Sequence, residues 1–152
     1  MSLFEDLAMC GWVAGIVDGE GSISANPGRT NGGWQIVLQV YNTDPRMIVR
    51  LKEVTGVGSI YKPRKRERNN LQMYEWKIAS RQAVVVLEWI LPYLVTKKPE
   101  AEIALAIAAT IGKGHRVGWR RPLTAEILQE RHDLRAQLKL LKHIRPTLEE
   151  VS

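Results

Sequence analysis

Residues 2–19 place Leu7, Trp12 and Ile16 along one helical stripe, and Ser2 with Glu5 forms a weak capping box ahead of it, so the pattern predicts a first helix. The period then changes. Polar and apolar positions alternate through Gln35, Ile36, Val37, Leu38, Gln39 and Val40, which predicts a hairpin of strands 21–27 and 33–41 around a Pro/Gly/Asn-rich turn at 27–33. Thr43 or Asp44 can cap a second helix with Pro45 in its first turn, Met47, Ile48 and Leu51 on its apolar side and Gly56 as its stop. A second hairpin follows, with strands 57–63 and 71–79 and a tip, 64–70, too charged to bury. Ser80 is expected to cap a third helix that is apolar through Val84, Val85, Leu87 and Ile90 and ended by Pro92. Two more helices, about 99–111 and 124–144, flank a Gly-rich basic segment at 112–122. In the last, Ile127, Leu134, Leu138 and Leu141 read as core packing, since the stripe lasts too few heptads for a coiled coil.

The order helix, hairpin, helix, hairpin, helix predicts an α+β fold: a four-stranded antiparallel sheet with helices on one face and the other face free for binding. Strand parity sends Ile36, Leu38, Val40, Tyr74, Trp76 and Ile78 inward. It sends Ser24, Asn26, Gln35, Val37, Gln39, Tyr61, Met73, Glu75 and Lys77 to the free face. That set is what an ordinary wet sheet face looks like, and it is also suited to a DNA major groove. Gln and Asn pair with adenine, Lys with guanine, and Glu accepts from cytosine.

A length of 152 residues fits one domain, with a core over about 2–111 and a helical extension over about 112–152. Hydrophobic residues at 45% and charged residues at 25% argue against disorder. The 22 Lys and Arg against 16 Asp and Glu leave +6, which favours a polyanionic partner without choosing among DNA, RNA and an acidic membrane. No apolar run approaches the ~20 residues of a membrane span and no secretion signal is visible. The expectation is a soluble intracellular protein, with prokaryotic cytoplasm and organelle undistinguished. Cys10 stands alone, which excludes an intrachain disulfide and a Cys-cluster zinc site; any disulfide would pair two subunits. His115, His132 and His143 lack metal-ligand spacing and read as structural or surface residues. Lys62, Arg64, Lys65, Arg66 and Arg68 around Glu67, and Arg116, Arg120 and Arg121 near Trp119, are suited to phosphate contacts, although either cluster alone could be a solvated loop.

Gly11, Gly15 and Gly19 recur every fourth residue and so share one side of the first helix. Each costs about 0.5–1 kcal/mol relative to alanine, and close approach of another backbone would offset that. Spacing alone leaves open whether that backbone belongs to the chain's own helices or to a second subunit. The adjoining residues Val13, Ala14, Gly15, Ile16, Val17, Asp18, Gly19, Glu20 and Gly21 resemble the nine-residue LAGLIDADG signature position by position. The likeness extends more weakly to about residue 105, through Gly56, Val57 and Gly58 and through Leu91, Pro92, Tyr93 and Leu94. One copy of the signature makes the chain similar to single-motif homing endonucleases of that family.

This resemblance implies a homodimeric, site-specific DNA endonuclease that cuts both strands of a long, pseudo-palindromic target to leave 3′ overhangs, encoded in an intron and cutting the intron-less allele. It implies that signature helices of two subunits cross at the two-fold axis, with Gly11, Ala14, Gly15 and Asp18 in the interface. Glu20 then becomes the metal ligand, supported by the Gly19 carbonyl. Asp18 takes a structural helix-end role. The family often has Asp where Glu20 stands; Glu is also a hard oxygen ligand, one methylene longer, and suits Mg²⁺ with Mn²⁺ as a substitute. Asn42, Arg46 and Lys97 fall on positions that place water and stabilise phosphate charge; Arg46 also reads as a solvated first helical turn. No partner membrane is implied. Two other readings share the fold: an RNA-binding intron splicing cofactor (maturase), and a DNA-binding regulator without cleavage, against which the acid at Glu20 speaks.

Overall fold

The computed structural model describes residues 3–28, 33–63, 71–112 and 124–151. Ser2 of the expected capping box lies outside them, as does the whole of the charged tip 64–70. The chain begins with α1 (Leu3–Glu20), whose buried face is Cys10, Val13, Ala14 and Val17. That is an i, i+3, i+4, i+7 stripe, and it is not the stripe expected from the bulky residues. Leu7 is exposed, while Trp12 and Ile16 flank the core half-buried. Small Cys and Ala let α1 lie close against its neighbours, and the Cys10 thiol donates to the Trp89 carbonyl at 3.1 Å.

The sheet is antiparallel throughout, in the order β1-β2-β4-β3, with β1 (Gly21–Asn26), β2 (Gln35–Asn42), β3 (Ser59–Tyr61) and β4 (Tyr74–Ala79). Ile36, Leu38, Val40, Trp76 and Ile78 are buried under the helices and Tyr74 is half-buried there, as parity requires. The second hairpin is shorter than its apolar pattern. Gly58 sits at φ +97°, outside the range of a strand, and Trp76 and Ile78 leave no room there for a Cβ. At the other end the Gln72 amide donates to the carbonyls of Pro63 (3.0 Å) and Met73 (2.7 Å) where ladder bonds would have continued.

α2 (Pro45–Thr55) is capped by the Asp44 carboxylate, which accepts from the Arg46 amide at 2.9 Å, and is closed by Gly56 at φ +69°, a left-handed cap that glycine adopts without strain. α3 (Ser80–Ile90) starts differently from expectation. Ser80 makes no capping bond, stands at φ +54°, and leaves Ala79 as a cap without a side-chain acceptor. Its buried positions are Ala83, Val86, Leu87 and Ile90, so Val85 points outward, 56% exposed, where an apolar contact was expected. A 3-10 turn, Leu91–Tyr93, carries Pro92 and leads to α4 (Lys98–Gly112).

α5 (Ala125–Leu141), capped by the Thr124 hydroxyl, packs on α4 and along β1, the edge strand. Leu138 joins the core with Leu134 beside it, in line with the packing role read from the stripe. On that same stripe lies the buried Arg131, which donates to the Thr110 hydroxyl (2.8 Å) and carbonyl (3.2 Å) at the end of α4. Arg135 donates to the Ala25 carbonyl at 3.0 Å, occupying an outward acceptor that an uncovered edge would leave open. A short α6 (Leu148–Val151), not anticipated from the pattern, follows. Among the described residues no helix is long and apolar enough to cross a membrane.

Candidate catalytic centre and nucleic-acid interface

α1 delivers Glu20 to the end of the sheet. It is the last residue of the helix and exposed, and Gly21 immediately pairs with Val40 in the first hairpin. A carboxylate at a helix C-terminus faces the negative end of the helix dipole, and the last turn of α1 holds no basic residue to offset it. The position therefore favours an external cation. β2 ends at Asn42, two residues beyond Val40, so Asn42 and the start of α2 lie at the same end of the sheet.

Asp18 explains how Lys97 reaches this place. Its carboxylate accepts from the Val95 amide (2.8 Å), the Lys97 amide (2.9 Å) and the Thr96 hydroxyl (3.0 Å). Three donors from one loop are thus clamped to the last turn of α1, and the Lys97 backbone is held on Asp18, two residues before Glu20. Asn42 turns its side chain back on the chain, accepting from the Asp44 amide at 2.7 Å. Arg46 forms a two-pronged ion pair with Asp44, with contacts of 2.6–3.1 Å, and is almost fully in solvent. The guanidinium holds the Asp44 carboxyl down at about 2, first through the side-chain hydrogen bonds and then the amide bond. In this state Arg46 is a solvated first-turn residue, paired with its own helix cap.

Among the described residues no three His, Cys, Asp or Glu side chains group as a metal site. One protomer supplies one free carboxylate, Glu20, beside the Gly19 carbonyl. Those are hard oxygen donors of the kind Mg²⁺ takes, too few for a site alone and sufficient if a second protomer and phosphate oxygens add theirs. Glu20 and the Gly19 carbonyl fit part of a divalent cation site.

The glycine stripe settles one alternative left open by spacing. A Cβ at Gly11, Gly15 or Gly19 would meet nothing within 4 Å among the described residues, so the stripe does not pack against the chain's own described elements. Gly15 and Gly19 are exposed, and Gly11 is half-buried. Ala14 requires a correction: it is fully buried in the protomer's core and has no surface to offer an interface. Cys10 is equally buried, which removes the intersubunit disulfide, and burial, then Asp6, pushes its thiol up.

On the outer face of the sheet the register aligns Asn26 with Gln35, Ser24 with Val37 and Ala79, Ser22 with Gln39, Lys77 and Ser59, and Tyr41 with Glu75 and Tyr61. The parity expected for Ser24, Asn26, Gln35, Val37, Gln39, Tyr61, Glu75 and Lys77 is present, and Met73 continues it just before β4. Accessibility is not uniform. Val37 and Glu75 face outward but are covered by their neighbours, at 6% and 8% exposure, so neither stands free as a reading group. Glu75 accepts through Oε1 from Gln39 Nε2 (2.6 Å) and the Tyr41 hydroxyl (3.1 Å). Burial and then the Glu75 charge push the Tyr41 phenol up. Tyr41 was not among the expected residues, although its spacing of two from Gln39 carried the signal. Lys62 is exposed beyond β3; Arg64, Arg66, Arg68, Arg116 and Arg120 lie outside the described residues, and His115 with them. His132 packs edge-on against Trp34, with ring centroids 5.2 Å apart.

A sheet with one helix-covered and one polar face, and a leading helix that ends in a free acid beside a bare glycine stripe, is the architecture of a class of DNA-cutting enzymes. The chain has the LAGLIDADG endonuclease fold. It superposes on the homing endonuclease I-CvuI, solved in complex with its target in the presence of calcium, with a TM-score of 0.72 and 23% identity, over 93% of this chain and 87% of that one. An archaeal intron-encoded homing endonuclease, I-Vdi141I, complexed with DNA, matches with a TM-score of 0.70 and 17% identity over 90% of this chain and 85% of that one. The homing endonuclease I-TnaI matches with a TM-score of 0.64 and 20% identity over 94% and 97% of the two chains. No family model matches the sequence, and no curated protein does.

Proposed function

We propose that the chain is a homodimeric, site-specific homing endonuclease, physically two identical half-sites of chemistry brought together on double-stranded DNA. The observation that carries this reading is α1 itself: a glycine side with open space beyond it, ending in a free carboxylate whose neighbour Asp18 anchors Lys97. Two such helices crossing through their glycine stripes bring both Glu20 carboxylates to one axis. Unscreened, the pair would repel by about 4 kcal/mol for a ~4 Å gap at an effective dielectric of ~20, which a cation reverses.

Glu20 and the Gly19 carbonyl would hold Mg²⁺, with Mn²⁺ as substitute; when bound, the ion supplies Lewis acidity and charge neutralisation at the scissile phosphates. The protein's own residues do the rest. Lys97, fixed through its backbone by Asp18, offers a cation to the phosphate charge that grows during hydrolysis. Asn42 and Arg46 stand at the same end of the sheet, where Arg46 can exchange Asp44 for a DNA phosphate. The polar rows on the sheet's outer face enter the major groove, with Gln35, Asn26, Gln39 and Lys77 as base-reading groups and Ser24, Tyr61 and Met73 beside them. Lys62, together with Arg64, Arg66, Arg68, Arg116 and Arg120, contributes phosphate contacts. A symmetric dimer accounts for a pseudo-palindromic target. In support, the chain covers only 50% of the LAGLIDADG homing endonuclease I-GzeII, as one unit of a two-unit arrangement would.

The test is digestion of a randomised duplex pool with Mg²⁺, followed by sequencing of the ends. Site-specific double-strand breaks with 3′ overhangs are expected from the native chain and none from Glu20→Gln, which should still fold and bind DNA. Undiminished cutting by Glu20→Gln would remove the mechanism. Tight binding to a structured intron RNA without DNA cleavage would replace the reading with that of a splicing cofactor.

A further inference from the structure

Glu75 is an acid where an acid is least expected. It stands on the outer face of β4, one of the two inner strands of the sheet, and on that face a polyanion would dock. At 8% exposure it is also too deep to bond a base itself. A carboxylate so placed is costly unless its neighbours use the charge. Two of them do. Tyr41, its partner in the β2–β4 register, donates its hydroxyl proton to Oε1 at 3.1 Å, and Gln39, two residues earlier on β2, donates from Nε2 to the same oxygen at 2.6 Å. Gln39 Nε2 lies 3.3 Å from the Tyr41 hydroxyl oxygen as well, which accepts its second N–H. Burial and the Glu75 charge both hold the phenol in its protonated form, so Tyr41 remains a donor to Glu75.

The consequence falls on Gln39. An amide side chain has two N–H donors and one carbonyl acceptor, and only the nitrogen end can bond a carboxylate. Both donors are therefore engaged inside the protein, and Oε1 is left without a partner among the described residues. A free glutamine pairs with adenine by accepting from N6 while donating to N7. Gln39 can only accept. Its complement in a major groove is an exocyclic amino group, which cytosine and adenine carry; guanine and thymine present O6 and O4, acceptors that repel it.

We propose that Glu75 is a positioning residue for base recognition: together with Tyr41 it holds both Gln39 N–H groups, so that Gln39 reads as an acceptor alone and selects cytosine or adenine over guanine and thymine at one position of each half-site. This rests on the DNA-binding reading above. Glu75 touches no base and acts through Gln39. Its charge matters because an ionised acceptor holds a donor roughly twice as strongly as a neutral one, which keeps the amide from turning over when guanine approaches.

The experiment is selection of bound duplexes from a randomised pool by the native chain in Ca²⁺, with sequencing of the survivors and thermal unfolding of each variant alongside. Gln39→Met should flatten the preference at one position per half-site, which identifies the position Gln39 reads. There the native chain should favour cytosine or adenine over guanine and thymine by about tenfold. Glu75→Met removes the acceptor at similar volume and frees the Gln39 amide, so guanine should gain about tenfold relative to cytosine at that position, with the rest of the profile unchanged. A role in stability alone would lower the unfolding temperature and leave the profile as it was. If Glu75→Met unfolds, Tyr41→Phe carries the test: it frees one Gln39 N–H and should let adenine outrank cytosine there. A native preference for guanine or thymine at that position overturns the proposal, as does a folded Glu75→Met with the native profile, and both leave the endonuclease reading intact. A native chain that enriches no duplex from the pool refutes the DNA-binding reading itself, and the proposal with it.

Discussion

Replacing Asp18 by alanine should reveal how strongly the clamp at the end of α1 holds the Val95–Lys97 loop. The carboxylate accepts three hydrogen bonds of 2.8–3.0 Å, two from backbone amides and one from a hydroxyl. Hydrogen bonds to a charged group contribute roughly 1.5–3 kcal/mol each when water is excluded. This site is only partly buried, so water replaces much of what is lost, and about 1 kcal/mol per bond is the better figure. Asp18→Ala should therefore cost about 3 kcal/mol, or about 6–12 °C in Tm for a chain of this size. Asp18→Asn keeps one acceptor oxygen and should cost about half as much. Urea unfolding followed by tryptophan fluorescence measures this, with native and variant chains at equal protomer concentration because dimerisation would otherwise shift the midpoint. The same variants should lose cutting in the same order, since the Lys97 backbone N–H donates a hydrogen bond to Asp18. An Asp18→Ala chain within about 0.5 kcal/mol of native stability, below the ordinary effect of one lost bond, would refute the clamp.

Gly15→Leu should leave the protomer folded and as stable or slightly more so, because Gly15 is exposed, a Cβ there meets nothing within 4 Å and glycine is a poor helix former. Light scattering should then show loss of the dimer; a variant still dimeric at micromolar concentration would mean that the stripe is not the interface. Asp44 should titrate near 2 by NMR in the native chain and return towards the ordinary carboxylate range in Arg46→Ala. The sign is that of a depressed acid: its contribution to stability is full above 3.8, the usual value, and is lost as pH falls through about 2. An unchanged Asp44 midpoint in Arg46→Ala would break the ion-pair explanation.

The order of elements was legible because the two periods, 3.6 and 2, differ sharply along this chain, and because Asp44, Pro45, Gly56 and Thr124 punctuate it with local chemistry. Strand parity likewise sorted the sheet's two faces, and the signature marked Glu20. Burial of particular residues was less legible. On α1 the bulky Leu7 misled, since the helix lies close to its neighbours through Cys10 and Ala14, and only the packed partners reveal that preference for small side chains. The covering of Glu75 by Gln39 and Tyr41 depends on register across two strand pairs.

Sequence alone determined the fold class, the acid that ends α1 and the two alternative uses of the glycine stripe, because each follows from residues within one or two turns of each other. Tertiary structure alone decided that the described parts of the chain leave the stripe open, how Asp18 holds the Lys97 backbone from 79 residues away, and that Lys142 meets Ser22 across 120. The physical reason is that periodicity and capping are local energies, whereas the convergence of charges from distant segments exists only once the core has closed.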